Sequence, residues 1–521
     1  MRNAYLIGAV VMQSDFPNDT SFQRSIRAAA LIRIRAAIAL LMILASIGCA
    51  RYASEPEISP RTWAPQAVER EWTPPAGSRA LAGPIGDYAI RSDRLPKDQN
   101  LTLAELIGFA LANNPSTRSS WRSAQGAAAA AGIARAPFYP TVSAQSANSY
   151  QRSIDLVPHH WGSLKTWQSR NIISLDYDLI DFGRRDASGA AALDRLFEAD
   201  LLFNRTVQQV VFEVERSFYA DEAAQAGVDA ALVTAKLART DLRAANLRHQ
   251  HGLATGPELL LATQRDAQAE YDLENARLAV SLAQADLAVA LGVRASELSA
   301  IRAPNPQPLP RSLGADVDQL IDSAVRDRPD LSAKVSEVRA READVKLARA
   351  SLYPTISATT YYGEQGFTYR LSNPSPPTLT QTAMSPEYGA GLTLKWDIFT
   401  GFSRVNSIKE AEATQDAARA DLEAAEVEVA ANVWRAYFTY VTAQRKYDYA
   451  QALLTASQSS YNSNFQSYRH GLATIVDLLS AERELAAARF TMIGARADLM
   501  ISAAAVSFAT GATPPAAAPT P

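Results

Sequence analysis

A single cysteine, Cys49, stands in 521 residues. It leaves no intrachain disulfide, no CxxC redox pair and no cysteine-rich zinc site. Five histidines are likewise few for a metal centre, which would need mostly carboxylate ligands. An excess of one charge is also missing: 51 basic side chains meet 54 acidic ones, for a net charge of −3 and a pI near 6.1. That balance gives no electrostatic reason to expect nucleic acid as a partner. Past residue 50 no run of 18 apolar residues occurs, and mean hydropathy is −0.12. Membrane-spanning helices are therefore not expected, and a β-barrel is the remaining way across a bilayer.

What is present begins with an export pattern. Arg24, Arg27, Arg33 and Arg35 precede the uncharged stretch Ala36 to Gly48, the layout of a secretory signal. Ile47-Gly48-Cys49 resembles the end of a bacterial lipoprotein signal, whose cysteine is acylated, although Ser46 stands where such signals usually carry leucine. Residues 1–48 thus read as an extension and signal, with the true start at Met1 or further in. Residues 49–98 read as a lipid anchor with a tether, since seven prolines fall between Arg51 and Asp98 without sustained periodicity. The tail 512–521, with Pro514, Pro515, Pro519 and Pro521, is expected to be disordered.

Between these ends the chain repeats itself. Asn113-Asn114-Pro115 and Tyr139-Pro140-Thr141-Val142-Ser143-Ala144 recur as Asp327-Arg328-Pro329 and Tyr353-Pro354-Thr355-Ile356-Ser357-Ala358, at an offset of 214. Tyr177-Asp178 matches Trp396-Asp397, and His251-Gly252-Leu253-Ala254-Thr255 matches His470-Gly471-Leu472-Ala473-Thr474, at an offset of 219. A five-residue insertion between Pro354 and Trp396 accounts for the change. Two copies of one unit, 99–300 and 315–511, are joined by the proline-rich linker 301–314.

Each copy predicts the same order. A short amphipathic helix carries Leu103, Leu106, Ile107 and Ala110, or Val317, Leu320, Ile321 and Ala324. A second helix follows and stops before the Tyr-Pro pair, because proline disfavours helix in the residue before it. Two strands of about ten residues come next. In the later one Ile173, Leu175, Tyr177 and Leu179 alternate with Ser174, Asp176 and Asp178; in the other copy Leu392, Leu394, Trp396 and Ile398 alternate with Thr393, Lys395 and Asp397. From Phe402 to His470 there is neither glycine nor proline, and as one helix this stretch would run about 100 Å. Apolar steps such as Val207, Val210, Val214 and Phe218, or Val433, Tyr437 and Tyr440, suit coiled-coil packing. Four strands with one lipophilic and one polar face suit a membrane barrel wall, but the smallest such barrels have about eight. Other copies would have to supply the rest.

The repeat, the Asn-Pro and Tyr-Pro pairs, and above all Gly471-Leu472-Ala473-Thr474-Ile475-Val476-Asp477-Leu478-Leu479-Ser480-Ala481-Glu482 resemble the TolC-like outer-membrane factor family over residues 100–511. The resemblance implies a mostly α fold with a small β part. Duplicated helical hairpins would form a trimeric α-barrel tunnel, capped by a twelve-stranded transmembrane β-barrel with four strands per chain. It further implies an outer-membrane location and a passive duct for drugs, metals or other small molecules. An inner-membrane pump, here of the resistance-nodulation-division class given the lipid anchor, would deliver them through a periplasmic adaptor. A type I secretion exit duct and a non-pore periplasmic coiled-coil protein are the alternatives. In that family the glycine-containing turns meet the adaptor, which assigns the tips Gly252, Leu253, Gly471 and Leu472. Acidic residues just beyond ring the narrow entrance, which assigns a periplasmic gate to Asp477 and its repeat mate Glu258. Ser480 and Ala473 stand where some members carry a second aspartate and a basic partner.

No enzyme is expected. His159 and His160 lie between strands and His249 and His251 flank a tip, all as surface residues. Asp181-Phe182-Gly183 matches a kinase triplet without a glycine-rich loop or catalytic-loop partner. Ala127 to Ala131 is a close-packing helix face, so neither a cofactor nor a metal is called for.

Overall fold

The computed structural model describes residues 67–69, 101–157, 160–295, 309, 316–372 and 379–512. All belong to one contact unit, 58–521. Cys49, the tether 70–98, His159, the linker except Leu309 and the tail beyond 512 lie outside the described residues.

The first half runs α1 (Leu103–Asn113), α2 (Pro115–Ala134), β1 (Thr141–Val157), β2 (His160–Ile180), α3 (Arg184–Gln250) and α4 (Gly256–Leu291). The second runs α5 (Val317–Asp327), α6 (Pro329–Ala350), β3 (Thr355–Ser372), β4 (Leu379–Lys395), α7 (Ser403–Arg469) and α8 (Ile475–Thr510). Duplication is visible in the lengths: α3 and α7 have 67 residues each, α4 and α8 have 36, α1 and α5 have 11. Thr102 starts α1 with a capping box, its N–H donating to Glu105 Oε2 at 2.7 Å. Pro115 and Pro329 open α2 and α6, where the missing N–H costs no hydrogen bond.

The long helices pack through a seam stepping by three and four residues. Phe203, Val207, Val210, Val214 and Phe218 of α3 are buried; the last three share a cluster with Leu106, Phe109 and Ala110 of α1 and Leu287 and Leu291 of α4, while Phe203 and Val207 pack in a second one with Trp121 of α2. A side chain as enclosed as Leu106 contributes about 1.5–3 kcal/mol. In the second half Ala324 of α5 meets Val429 and Val433 of α7 and Ala509 of α8. Farther along, Ala231, Ala235 and Ala238 face Ala269, Leu273 and Ala276. Small side chains there let α3 and α4 lie close as an antiparallel hairpin. Ala128 and Ala131 of α2 pack on Leu196 in the same way.

The strands form one antiparallel sheet in the order β1-β2-β3-β4. They are longer than expected, at 17, 21, 18 and 17 residues, because backbone pairing continues past the stretch where side chains alternate cleanly. β4 also ends at Lys395, so Trp396, Asp397 and Ile398 belong to the exit turn, where Trp396 Nε1 donates to Leu352 O at 3.1 Å. Register puts Ala144, Ile173, Tyr362 and Tyr388 in one row on one face. On the opposite face Ser143 and Ser174 share a hydrogen bond, Thr359 Oγ1 donates to Asp176 Oδ1, and Arg170 clasps Glu387 with two bonds across β3.

Each sheet-to-helix turn needs two successive left-handed residues: Phe182 and Gly183 (φ 53° and 87°), then Gly401 and Phe402 (φ 60° and 64°). Arg185 Nη1 ties the first turn to Asp178 O at 2.7 Å, and Arg404 Nη1 ties the second to Asp397 O at 2.5 Å. Asp181 of the kinase-like triplet only organises this turn, accepting from Gly183 N and from Arg185 N and Nε. Among the described helices α8 alone is long and apolar enough to cross a membrane by length and composition, but it packs as the returning partner of α7.

Candidate functional site at the hairpin tips

α3 and α7 end in the same chemistry. Gly252 and Gly471 are left-handed, with φ of 71° and 73°. The following residue's N–H reaches back into the helix, Leu253 N to Arg248 O and Leu472 N to Ser467 O, each at 2.8 Å. Gly252 N and Gly471 N bond to His249 O and Tyr468 O at 3.0 and 3.1 Å. This is a Schellman close, and glycine holds its left-handed position without a Cβ penalty. Ala245 of α3, Ala262 of α4 and Ile475 and Leu479 of α8 share one cluster with Tyr468 against it, so the two tips lie at the same end. Leu253 and Leu472 take no part in that core and are 68% and 83% exposed.

The acids assigned to a gate have a definite local task. Asp477 is exposed, and its Oδ2 accepts from Thr474 N at 3.0 Å and Thr474 Oγ1 at 2.7 Å. Those bonds hold its carboxyl below the ordinary aspartate value. Glu258 Oε2 accepts from Thr255 N at 3.0 Å. Both acids thus close the N-termini of α4 and α8. His249 Nδ1 lies 3.0 Å from Ala254 O, while His251 and His470 cap α3 and α7. Among the described residues no group of three or more His, Cys, Asp or Glu could hold a metal.

Buried charge deeper in the hairpins escaped the sequence reading. Asp200, Asp221 and Asp241 all sit on the buried seam of α3. Burial lifts Asp200 to about 9, Asp221 to about 6 and Asp241 to about 7, the last with help from Glu482. Glu482 of α8 is only 1% exposed and stands 3.4 Å from Arg265 Nε of α4. The available signal was an aspartate at a position where the three-and-four stepping of Val207, Val210 and Val214 calls for an apolar side chain.

Known proteins match both halves. The family model described as outer membrane efflux protein matches residues 106–293 and 320–512. Protein CyaE of Bordetella pertussis is 28% identical over 428 residues, 81% of this chain and 85% of that protein. Outer membrane protein OprJ of Pseudomonas aeruginosa is 25% identical over 400 residues, 73% and 78% of the two chains. Among solved structures, the VceC outer membrane protein of Vibrio cholerae aligns with a TM-score of 0.66 at 19% identity, over 78% of this chain and 96% of that one. The CmeC channel of Campylobacter jejuni gives 0.69 at 15%, over 85% and 95%. These two share the fold. Because the family match takes in both halves and with them the sheet, the long hairpins and both tips, the chain belongs to the outer membrane efflux protein family.

Proposed function

We propose that three copies of this chain close a twelve-stranded barrel in the outer membrane, continued by a helical tunnel, as the passive duct of a tripartite efflux system. A periplasmic adaptor docks at Leu253 and Leu472, and an inner-membrane pump supplies drugs, metals or other small molecules. The carrying observation is the open sheet: among the described residues β1 and β4 are edges with no second strand partner, and β4 does not return to β1. Open edges in lipid leave backbone groups unpaired at several kcal/mol each, so the sheet must be completed by others like it. The row Ala144, Ile173, Tyr362 and Tyr388 suits lipid, and the face of Ser143, Asp176, Arg170 and Glu387 suits a wet lumen.

Two aromatic levels support the placement. Tyr150 packs on Trp167 high on the sheet, with ring centroids 4.8 Å apart. At the helix junctions Phe182 stacks on Tyr353, and Phe399 meets Phe402 edge-on. Trp167 and Tyr177 are ten strand residues apart, about 33 Å along the strand and about 25 Å when tilted, which is the height of an outer-membrane apolar band. Cys49 carries the lipid anchor in this reading, 49–98 serve as its tether, and 99–300 and 315–511 are the two repeat units. Native mass spectrometry of the detergent-extracted protein should give a trimer. A stable monomer with full β signal overturns the reading.

A further inference from the structure

Asp241 precedes Gly252 by eleven residues and Glu482 follows Gly471 by eleven, so both lie at one level about 16 Å above the tips. They come from different hairpins, both are buried, and each acts on the titration of the other. Two ionised carboxylates only accept and repel each other, whereas a proton on one turns it into a donor to the other. Arg265 Nε, from the hairpin of Asp241, forms an ion pair with Glu482 whose geometry falls short of a hydrogen bond. Neither Glu482 oxygen, nor Asp241 Oδ2, nor Arg265 Nε has a hydrogen-bond partner among the described residues. With one proton the trio is neutral; without it, one negative charge is left buried between hairpins.

The neighbours do not remove that charge. From α4, Asp266 adds an acid that lies 3.9 Å from Arg239. From α7, Tyr461 and Tyr468 lie near the site, where burial first keeps both phenols protonated, with the charges of Asp241 and Glu482 adding to the effect on Tyr461 and those of Glu258 and Asp241 to that on Tyr468. Arg489 of α8 donates to Gln458, Arg248 of α3 lies over the Tyr468 ring, and Arg483 of α8 is the least of the charges acting on Glu482. Around the trio Tyr461, Leu478, Ala481 and Leu485 form a buried apolar cluster that excludes water.

We propose that Asp241 and Glu482 together form a proton-binding site that clamps the two helical hairpins to each other near their tips, and that release of this proton loosens the tip end. The proposal rests on the duct reading for its consequence but not for its chemistry. Both acids hold their proton more tightly in the packed protein than in water. The contribution of the clamp is therefore fully present at and below the ordinary carboxylate range and is lost as pH rises from there through neutrality.

The test uses the full-length protein in planar bilayers. For one group titrating near neutrality the deprotonated fraction changes about tenfold between about pH 6 and about pH 8, and mean conductance should rise several-fold with it. Asp241→Asn and Glu482→Gln, which remove the need for the proton, should each hold conductance at the low level at both pH values. A flat wild-type response overturns the proposal, as does an undiminished rise in both variants. If the wild type conducts at neither pH, the duct reading fails instead. Thermal unfolding then decides: the wild-type midpoint must fall with rising pH relative to Asp241→Asn, and parallel curves overturn the clamp.

Discussion

Asn114 and Arg328 occupy equivalent positions in the two halves and close equivalent helix ends with different chemistry. Asn114 Nδ2 donates to Ala290 O of α4 at 2.9 Å, and Arg328 Nη1 donates to Ala509 O of α8 at 3.3 Å. The neutral amide needs nothing further. Buried Arg328 needs an anion and has Asp330, with Nη2 to Oδ2 at 2.5 Å and Nε to Oδ1 at 3.0 Å. Arg205 joins from α3, its Nη1 donating to Phe508 O at 3.0 Å.

Arg328→Ala should therefore cost more than Asn114→Ala. The first strips Asp330 of its main partner and uncovers the α8 terminus, for about 3 kcal/mol, held to that by the partial exposure of Asp330. The second removes an N-cap and one buried bond, for about 1–2 kcal/mol. Unfolding midpoints of the detergent-solubilised protein measure the difference, and equal losses would show that the ion pair adds nothing.

Gly292→Ala and Gly252→Ala should separate strain from contact. Both glycines are left-handed, which costs an alanine about 1–2 kcal/mol. At Gly252 a Cβ meets nothing within 4 Å, whereas at Gly292 it lies 2.9 Å from Asn114 Cα and 3.0 Å from Asn113 O. The loss at Gly292 should exceed that at Gly252 by a further 1–3 kcal/mol or so, the usual penalty of overpacking. The same unfolding assay reads it.

Leu253→Asp with Leu472→Asp should leave folding and assembly intact, since both side chains stand outside the tip core. Export should fail, because each new carboxylate would have to be buried unpaired at the adaptor, at several kcal/mol. Growth under drug or metal stress, with trimer yield measured alongside, checks this. Tolerance retained at normal yield would place the adaptor elsewhere.

Asp477 offers a test with two readouts. Its depressed titration means that the cap is complete above the ordinary aspartate range and is lost as pH falls through its lowered value, so helix-start stability should weaken only under strong acid. Asp477→Ala should remove that acid dependence. If three copies also ring the entrance, the same change should weaken cation selectivity and block by a multivalent cation in planar bilayers, with Glu258→Ala less effective. Unchanged selectivity would leave Asp477 as a cap alone.

Much of the molecule was legible before any coordinates. Neither glycine nor proline interrupts Phe402–His470, and α7 covers nearly all of it. Gly252 and Gly471 punctuated the helices where left-handed turns occur. Strand length was less legible, because hydrogen bonding carries β1 to β4 beyond the stretch in which apolar and polar side chains alternate.

The sequence by itself determined the duplication, the element order and the chemistry of the tips, because these depend on local rules: proline and glycine punctuation, threonine caps and side-chain period. Only the tertiary structure decided which aspartates are buried. Asp241 and Asp477 are the same residue type, both near a tip, yet one lies enclosed beside Glu482 and holds a proton near neutrality while the other is exposed and bound to Thr474. The cost of a charge depends on the dielectric around it and on the partners other segments bring, and residues 241, 265 and 482 meet only when the two hairpins pack together.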